Sequence, residues 1–460
     1  MYKRQIFGLT KYQEDIVTAS FTGPLFRLPH GDLKMAFGAE FRKNRIDDTP
    51  SVEAQNDNLV FPSAMPTRGS DQATDVFAEF DVPLLKGLPL AQELTANAST
   101  RYANYRSYGQ NTTYKVSLIW VPATGISLRG THGTSYRAPA LFEQFLGATT
   151  GFLTSPNDPC NRWDDPSKAG TPRAVNCASE GLRPGFQATD GISTVNAGGR
   201  AAGLKAETST NASWGIVLRP PLPAGWGSLS LSMDRFDLVV DNGVSRVGPL
   251  SILQRCYDDP QFRQGGGFCR LVSPRNPVSN ALTVNDNYIN VATSTARGFD
   301  YTGRLEANLG AGQLQLGLTL TEYRSQASKL FAEDALEDKN GNIGMPKWSG
   351  QLDASYAQAS WKAYYGLEWI GKTSSYAYYR EDPATSRFKL STPSYFLHTV
   401  SLTYSSPQRD WKATLGVRNL RDQKPPEISS GFVNRVGNAP LYSGYDYLGR
   451  RIFLNLSKTI

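Results

Sequence analysis

The chain has 460 residues, 40% hydrophobic and 19% charged, with 42 glycines, 28 prolines and a net charge of +7. That length would suit two or three soluble domains, yet no linker, low-complexity run or change of pattern divides it, and no run of about 18 apolar residues writes a transmembrane helix. The basic residues are scattered rather than gathered on one element, which excludes a nucleic-acid interface.

At the N-terminus, Met1-Tyr2-Lys3-Arg4-Gln5-Ile6-Phe7-Gly8 carries two positive charges but no apolar core behind them, because Lys11, Gln13, Glu14 and Asp15 follow at once. It is not a signal peptide, and one is expected upstream. Long strands are predicted from Leu33 to Asn44, Glu93 to Ser107 and Ile289 to Asn308, each beyond the usual five or six residues. Period-two alternation, with one apolar and one polar face, runs through Ser228–Met233, Gln313–Thr321, His398–Ser405 and Ile452–Ser457. The polar faces are rich in Ser, Thr, Gln and Gly, as a wetted interior would be. Trp120, Trp226, Trp361, Trp369, Tyr379 and Trp411 fall near strand ends, which suits aromatic girdles at a membrane surface.

Connections alternate in length. Short turns sit near residues 29–32, 86–89, 122–125, 223–225, 310–312 and 407–410. Long Gly/Asn/Asp/Pro-rich loops sit near 48–71, 140–205, 242–287, 331–346, 380–392 and 423–444, and only 108–111 is short on that side. Short turns on one side and long loops on the other match the periplasmic and extracellular sides of an outer-membrane barrel. Counting back from a last strand that runs down to a periplasmic C-terminus, every short turn falls on the periplasmic side. The count is about fifteen strands, and single-chain bacterial barrels have even numbers, so strands are expected to be missing at the front.

Four segments carry a resemblance. Leu128-Arg129-Gly130-Thr131-His132-Gly133-Thr134-Ser135-Tyr136-Arg137-Ala138-Pro139-Ala140-Leu141-Phe142-Glu143-Gln144 is similar to a strand and loop of TonB-dependent receptors. Leu204-Lys205-Ala206-Glu207-Thr208-Ser209-Thr210-Asn211, Val417-Arg418-Asn419-Leu420-Arg421-Asp422-Gln423-Lys424-Pro425-Pro426 and Tyr445-Asp446-Tyr447-Leu448-Gly449-Arg450-Arg451 resemble three further segments of that family, in the family's order. Ala206 stands where the family usually has Pro, and Ile460 where such barrels usually end in Phe or Trp. The resemblance implies an all-β transmembrane antiparallel barrel of about 22 strands, of which residues 1–460 supply the last fifteen or so. It also implies a plug inside the barrel, a TonB-type energy-coupling protein acting through that plug, the barrel-assembly machinery and the outer-membrane lipid bilayer as partners, and a small-molecule ligand: a siderophore, cobalamin or an oligosaccharide. Arg137, Ala138, Pro139, Leu204, Lys205, Glu207, Asn419, Leu420 and Asp422 are carried over as structural motif residues. Arg137 and Glu207 are expected to pair at the base of the first long loop.

The four cysteines, Cys160 with Cys177 and Cys256 with Cys269, fall in two predicted extracellular loops. A four-cysteine zinc site wants two close pairs, which these spacings do not supply. Two local disulfides suit an oxidising exterior, with free thiols as the alternative. Around them, Arg162, Trp163, Tyr257, Arg263 and Phe268 combine charge and aromatic surface on loops, where a ligand is expected to be caught. Asp338-Lys339-Asn340-Gly341-Asn342 resembles the start of a calcium loop, but Ile343 stands where Gly is needed and no Glu follows, so it reads as a polar loop tip. The three histidines, His30, His132 and His398, have no G-x-S-x-G elbow with them, and neither catalysis, a cofactor nor a metal site is expected. The sequence thus points to an outer-membrane uptake receptor of a Gram-negative bacterium. A passive porin-like channel and a non-transporting binding barrel are its rivals.

Overall fold

The computed structural model describes residues 7–458, except 60–62, 224, 265–266, 291–292, 332–333, 409, 430–434 and 443. Met1–Ile6, Ala224, Arg409 and Ile460 therefore lie outside the described residues. Fifteen strands pair in sequence order, each antiparallel to the next and without a crossover: β1 (Leu9–Leu28), β2 (Gly31–Thr49), β3 (Thr67–Leu88), β4 (Ala91–Tyr105), β5 (Gly109–Ala123), β6 (Ile126–Arg137), β7 (Glu207–Leu218), β8 (Ser228–Asp241), β9 (Thr293–Leu309), β10 (Gly312–Lys329), β11 (Trp348–Gln358), β12 (Trp361–Ile370), β13 (Tyr395–Ser405), β14 (Trp411–Arg418) and β15 (Arg451–Lys458). A two-residue strand, Glu337–Asp338, adds to β10. This is the expected all-β, up-and-down architecture of a barrel. One predicted strand is divided: Ile289–Asn290 leaves the sheet to pair with Val244–Ser245, and β9 begins at Thr293. The strand predicted from Glu93 runs instead from Ala91 to Tyr105.

Register decides which face each residue takes. The row Val17–Phe41 and Phe21–Phe37 crosses β1 and β2, and the row Ala363–Leu402–Leu415–Leu454 crosses β12 to β15. Val17, Phe21, Phe37, Phe41, Leu402, Leu415 and Leu454 are all exposed. A soluble protein rarely exposes a continuous apolar band, whereas hydrocarbon solvates one. Aromatics bound it. Trp361, Tyr404 and Trp411 cluster at the short-turn end, with ring centroids 4.8 and 5.3 Å apart, and Trp369 stacks on Phe396 at the other end. Trp361 and Trp369 are eight residues apart on β12, about 26 Å along a strand at roughly 3.3 Å per residue. With a tilt of about 40° that is a band of about 20 Å, close to the height of an outer-membrane hydrocarbon layer.

The opposite face is polar. In register across β2, β3 and β4 lie Arg42–Ala73–Tyr105, Glu40–Asp75–Ala103 and Gly38–Phe77–Arg101. Arg101, its side chain partly exposed, reaches Asp75 at 3.1 Å and Glu40 at 3.5 Å, so these charges are paired on the polar face.

Candidate functional site

The two cysteine-bearing loops are one body. Cys160 is bonded to Cys177 and Cys256 to Cys269, and no free cysteine remains among the described residues. Their sulfurs sit in a core with Leu182, Ile192, Val247, Ile252, Leu253, Tyr257, Val272, Leu282 and Val284, drawn from both loops. Thr283–Asn285 of the second loop pairs in parallel with Ser193–Val195 of the first, and Ile192–Asn196 pairs with Thr149–Leu153. Each loop is thus a scaffold for the other.

A buried charge cluster joins them. Arg275, its side chain 4% exposed, lies 2.8 Å from Asp158 and 2.9 Å from Glu180. Arg263 also binds Glu180, at 2.9 Å, and the Tyr257 hydroxyl donates to Glu180 at 2.7 Å. Burial pushes the Tyr257 phenol far above its usual range. Burial opposes the charge of Arg275, but its bond to Asp158 and its other neighbours outweigh that, so its pKa rises. Arg255 extends the body to the next loop by binding Asp334 at 2.8 Å, and that hydrogen bond holds Asp334 below the usual carboxylate range.

This dome is anchored at the top of β6. Pro139 ends the strand, since proline cannot donate to a ladder. Glu143 then accepts a hydrogen bond from the Ala140 amide at 2.7 Å, which starts the short helix Leu141–Phe145. Arg137 lies between Glu143 at 3.0 Å and Glu207, both of whose oxygens accept from it and one of which also accepts from the Val244 amide at 2.7 Å. The expected Arg137–Glu207 pair is therefore present. Glu143 is a third member of this cluster, with no role legible in the sequence. Asn419 is fully buried, taking the Gln423 amide on its side-chain oxygen and donating to the Gln423 carbonyl; Asp422 accepts from the Arg450 amide. Lys205 exchanges backbone hydrogen bonds with the Asn290 side chain, and Leu204 is buried.

Between that helix and the polar wall of the sheet lies a cavity of about 470 Å³, lined by Tyr12, Arg42, Asn44, Asp71, Tyr105, Tyr136, Arg137, Phe142 and Gln144 among others. Its size falls in the ordinary range for small-molecule sites, roughly 300–1,000 Å³. Among the described residues, six buried side-chain polar atoms have no hydrogen-bond partner, and four of them belong to this lining: Arg42 Nε, Asn44 Oδ1, Tyr136 OH and Gln144 Oε1. Gln144 is 3% exposed, and its Nε2 donates to the Pro139 carbonyl at 3.1 Å, which turns the orphan oxygen away from it. Buried polar atoms normally find partners; these four have almost no accessible surface and lie within the wall of the cavity, not on its open face.

The five loop residues expected to catch ligand take different places. Tyr257 has no exposed surface, Arg263 is committed to Glu180 and to the Val272 and Ser273 carbonyls, and Phe268 packs edge-on against Phe331. Trp163 packs against the dome core and donates to the Arg183 carbonyl, and Arg162 is exposed beside it. None of the five lines the cavity. Arg137, Ala138 and Pro139, expected as structural motif residues, do line it, whereas Tyr12, Asn44 and Asp71 carry no motif.

Solved structures share this fold. A mutant ferric enterobactin receptor of Pseudomonas aeruginosa matches 97% of this chain and 54% of its own, at 16% identity and a TM-score of 0.59. A siderophore receptor of Acinetobacter baumannii matches 97% and 55%, at 12% identity and 0.59. A hemophore receptor of Serratia marcescens, solved with its hemophore and heme, matches 98% and 59%, at 13% identity and 0.56. The chain spans a little over half the length of each. No curated protein matches it in sequence. The model of the TonB dependent receptor-like β-barrel family matches residues 4–420, and the chain belongs to that family.

Proposed function

We propose that residues 1–460 form the barrel portion of an outer-membrane receptor that captures a scarce solute too large for porins and imports it with TonB-coupled energy. The family resides in the outer membrane of Gram-negative bacteria, and its members are transporters, not enzymes. The single observation that carries the reading is a sheet of the family's barrel whose long loops are stapled by two disulfides, with a cavity of about 470 Å³ beside the helix Leu141–Phe145. Substrate sites of this kind are concave, mostly apolar and supplied with a few convergent polar groups. In this reading the dome is a fixed canopy. Arg162 and Trp163 at its surface, with Phe268, meet the solute first, and the cavity holds it until the plug moves. Energy coupling and barrel assembly draw on the partners the resemblance implies: a TonB-type protein, a plug and the barrel-assembly machinery.

The test is accumulation of labelled solutes by cells that express the complete gene, with and without a functional TonB protein. Accumulation that stops without TonB supports the reading. Accumulation that persists at the same rate makes the barrel a passive channel and sinks it.

A further inference from the structure

We propose that the outward wall of the barrel binds a membrane lipid whose headgroup carries phosphate, in a pocket across β1, β2 and β3 at the long-loop end. Register puts this pocket on the far side of the sheet from the cavity described above. Val17 and Phe41 belong to the exposed apolar band, and the rows above them run Asp15–Lys43–Gln72, Gln13–Arg45–Ser70 and Lys11–Asp47–Arg68. Side chains alternate between the two faces of a strand, so these β1 and β2 residues share the face of Val17 and Phe41. Lys43, Arg45 and Arg68 line a pocket of about 470 Å³ there, with Asp15, Asp47 and Ser70. Lys43 and Arg45 lie two and four residues beyond Phe41 on β2, about 7 and 13 Å along the strand at roughly 3.3 Å per residue. With a tilt of about 40° they stand about 5 and 10 Å above the last apolar row, the depth of lipid headgroups.

The pocket has cations to spare. Arg68 is taken by Asp47 at 3.0 Å, and Asp15 accepts from the Gln13 side-chain amide at 3.4 Å. Among the described residues, neither Lys43 nor Arg45 forms an ion pair. Arg106, just past β4, donates to the Ser70 carbonyl at 2.7 Å and to its hydroxyl at 3.1 Å, and Lys11 stands in register with Asp47. Lys11, Lys43, Arg45, Arg68 and Arg106 thus face only Asp15 and Asp47 on this stretch of wall. A solute bound here is on the wrong side of the sheet for import, which leaves a component of the surrounding membrane. Uncharged headgroups would leave Lys43 and Arg45 without an anion. A phosphate brings about two negative charges and three acceptor oxygens to one point, and the planar fork of Arg45 fits its geometry. The lipid's chains would then lie against Val17, Phe21, Phe37 and Phe41 below. The inference needs the barrel in its membrane and takes nothing from the solute cavity.

The experiment is lipid binding, measured by native mass spectrometry on the detergent-purified receptor made from its complete gene. The probes are bisphosphorylated lipid A, the same lipid with its phosphates removed, and inorganic pyrophosphate. The bisphosphorylated lipid is expected to bind about tenfold more tightly, or better, than the dephosphorylated one. Lys43→Gln and Arg45→Gln together are expected to weaken it about 25-fold, at about fivefold for each cation beside an anionic headgroup. Both side chains are exposed, and heat-modifiable migration checks that the variant folds. The charge-keeping pair Lys43→Arg and Arg45→Lys is expected to stay within about threefold. Arg235 is the control. It faces outward on β8, in register with the exposed Trp214 and 6.0 Å from the centre of the Phe299 ring. It lies five strands from β3, about 24 Å at roughly 4.8 Å per strand, beyond the range of screened charge. Arg235→Gln should therefore change affinity less than about twofold. Equal binding of the two lipids would show that the acyl chains alone hold them, and would overturn the proposal. So would an unchanged affinity in the double variant, or an equal loss in Arg235→Gln, which would mean diffuse attraction along the whole wall. Pyrophosphate binding as tightly as the phosphorylated lipid would make the pocket a site for free phosphate and not for a membrane lipid.

Discussion

Replacing Arg275 with methionine should loosen the whole dome. Its guanidinium is held between Asp158 and Glu180, whose side chains are 2% and 9% exposed, and it donates further to the Asn280 carbonyl and the Tyr257 hydroxyl. Methionine fills much of the volume but leaves two buried carboxylates without this partner. Removing one member of a buried pair costs roughly 3–5 kcal/mol. Glu180 keeps Arg263 and Tyr257, so the lower figure of about 3 kcal/mol applies. That is a rise of about a hundredfold in the opening equilibrium, at about 1.4 kcal/mol per factor of ten. Amide hydrogen exchange over residues 155–190 and 250–285 reads it directly, because local opening has its own free energy. Exchange should accelerate in both loops together while the strands stay protected. Acceleration confined to 250–285 would refute the claim that the loops share one core. Exchange unchanged in both would refute the claim that Arg275 braces them.

Removing one disulfide, with Cys160→Ser and Cys177→Ser together, should lower dome stability by about 3 kcal/mol on the chain-entropy model; denaturant-dependent proteolysis of the dome measures it, and wild-type resistance would count against the estimate. Gly69 on β3 faces the Phe145 ring so closely that an added Cβ would collide with it. Gly69→Ala should displace the helix Leu141–Phe145 at a cost of about 1–3 kcal/mol, and solute affinity at the cavity should fall with it; calorimetry with an unchanged Kd would show that the helix is no part of the site. Asp334 titrates below its ordinary range because Arg255 binds it, so its tether stabilises the dome fully above the unfolded carboxyl value of about 3.9 and is lost as pH falls through the lower folded value. Hydrogen exchange at decreasing pH should show dome protection falling more steeply in the native protein than in Asp334→Asn, and parallel profiles would remove Asp334 from the account.

Much of the fold was legible because its signals are local. Period-two alternation assigns faces without knowledge of any partner, as at Gln313–Thr321, and short turns such as Gly310-Ala311-Gly312 mark one end of the sheet wherever they occur. The disulfide partners were readable for the same reason, since each pair is separated by fewer than twenty residues. The pair Arg137–Glu207 was legible only through a resemblance, because the two lie 70 positions apart in the chain. The dome was not legible at all. Loop sequences that look like two separate ligand-catching arms bury Tyr257 and commit Arg263 only once Ser193–Val195 finds Thr283–Asn285. The cavity depends still more on tertiary structure. Tyr12, Asn44 and Asp71 meet Tyr136 and Gln144 across up to 132 residues of chain, through the register of three strands and the turn that Pro139 and Glu143 enforce. Alternation states which residues face inward, but only the register and the packing of that helix decide which of them enclose the cavity.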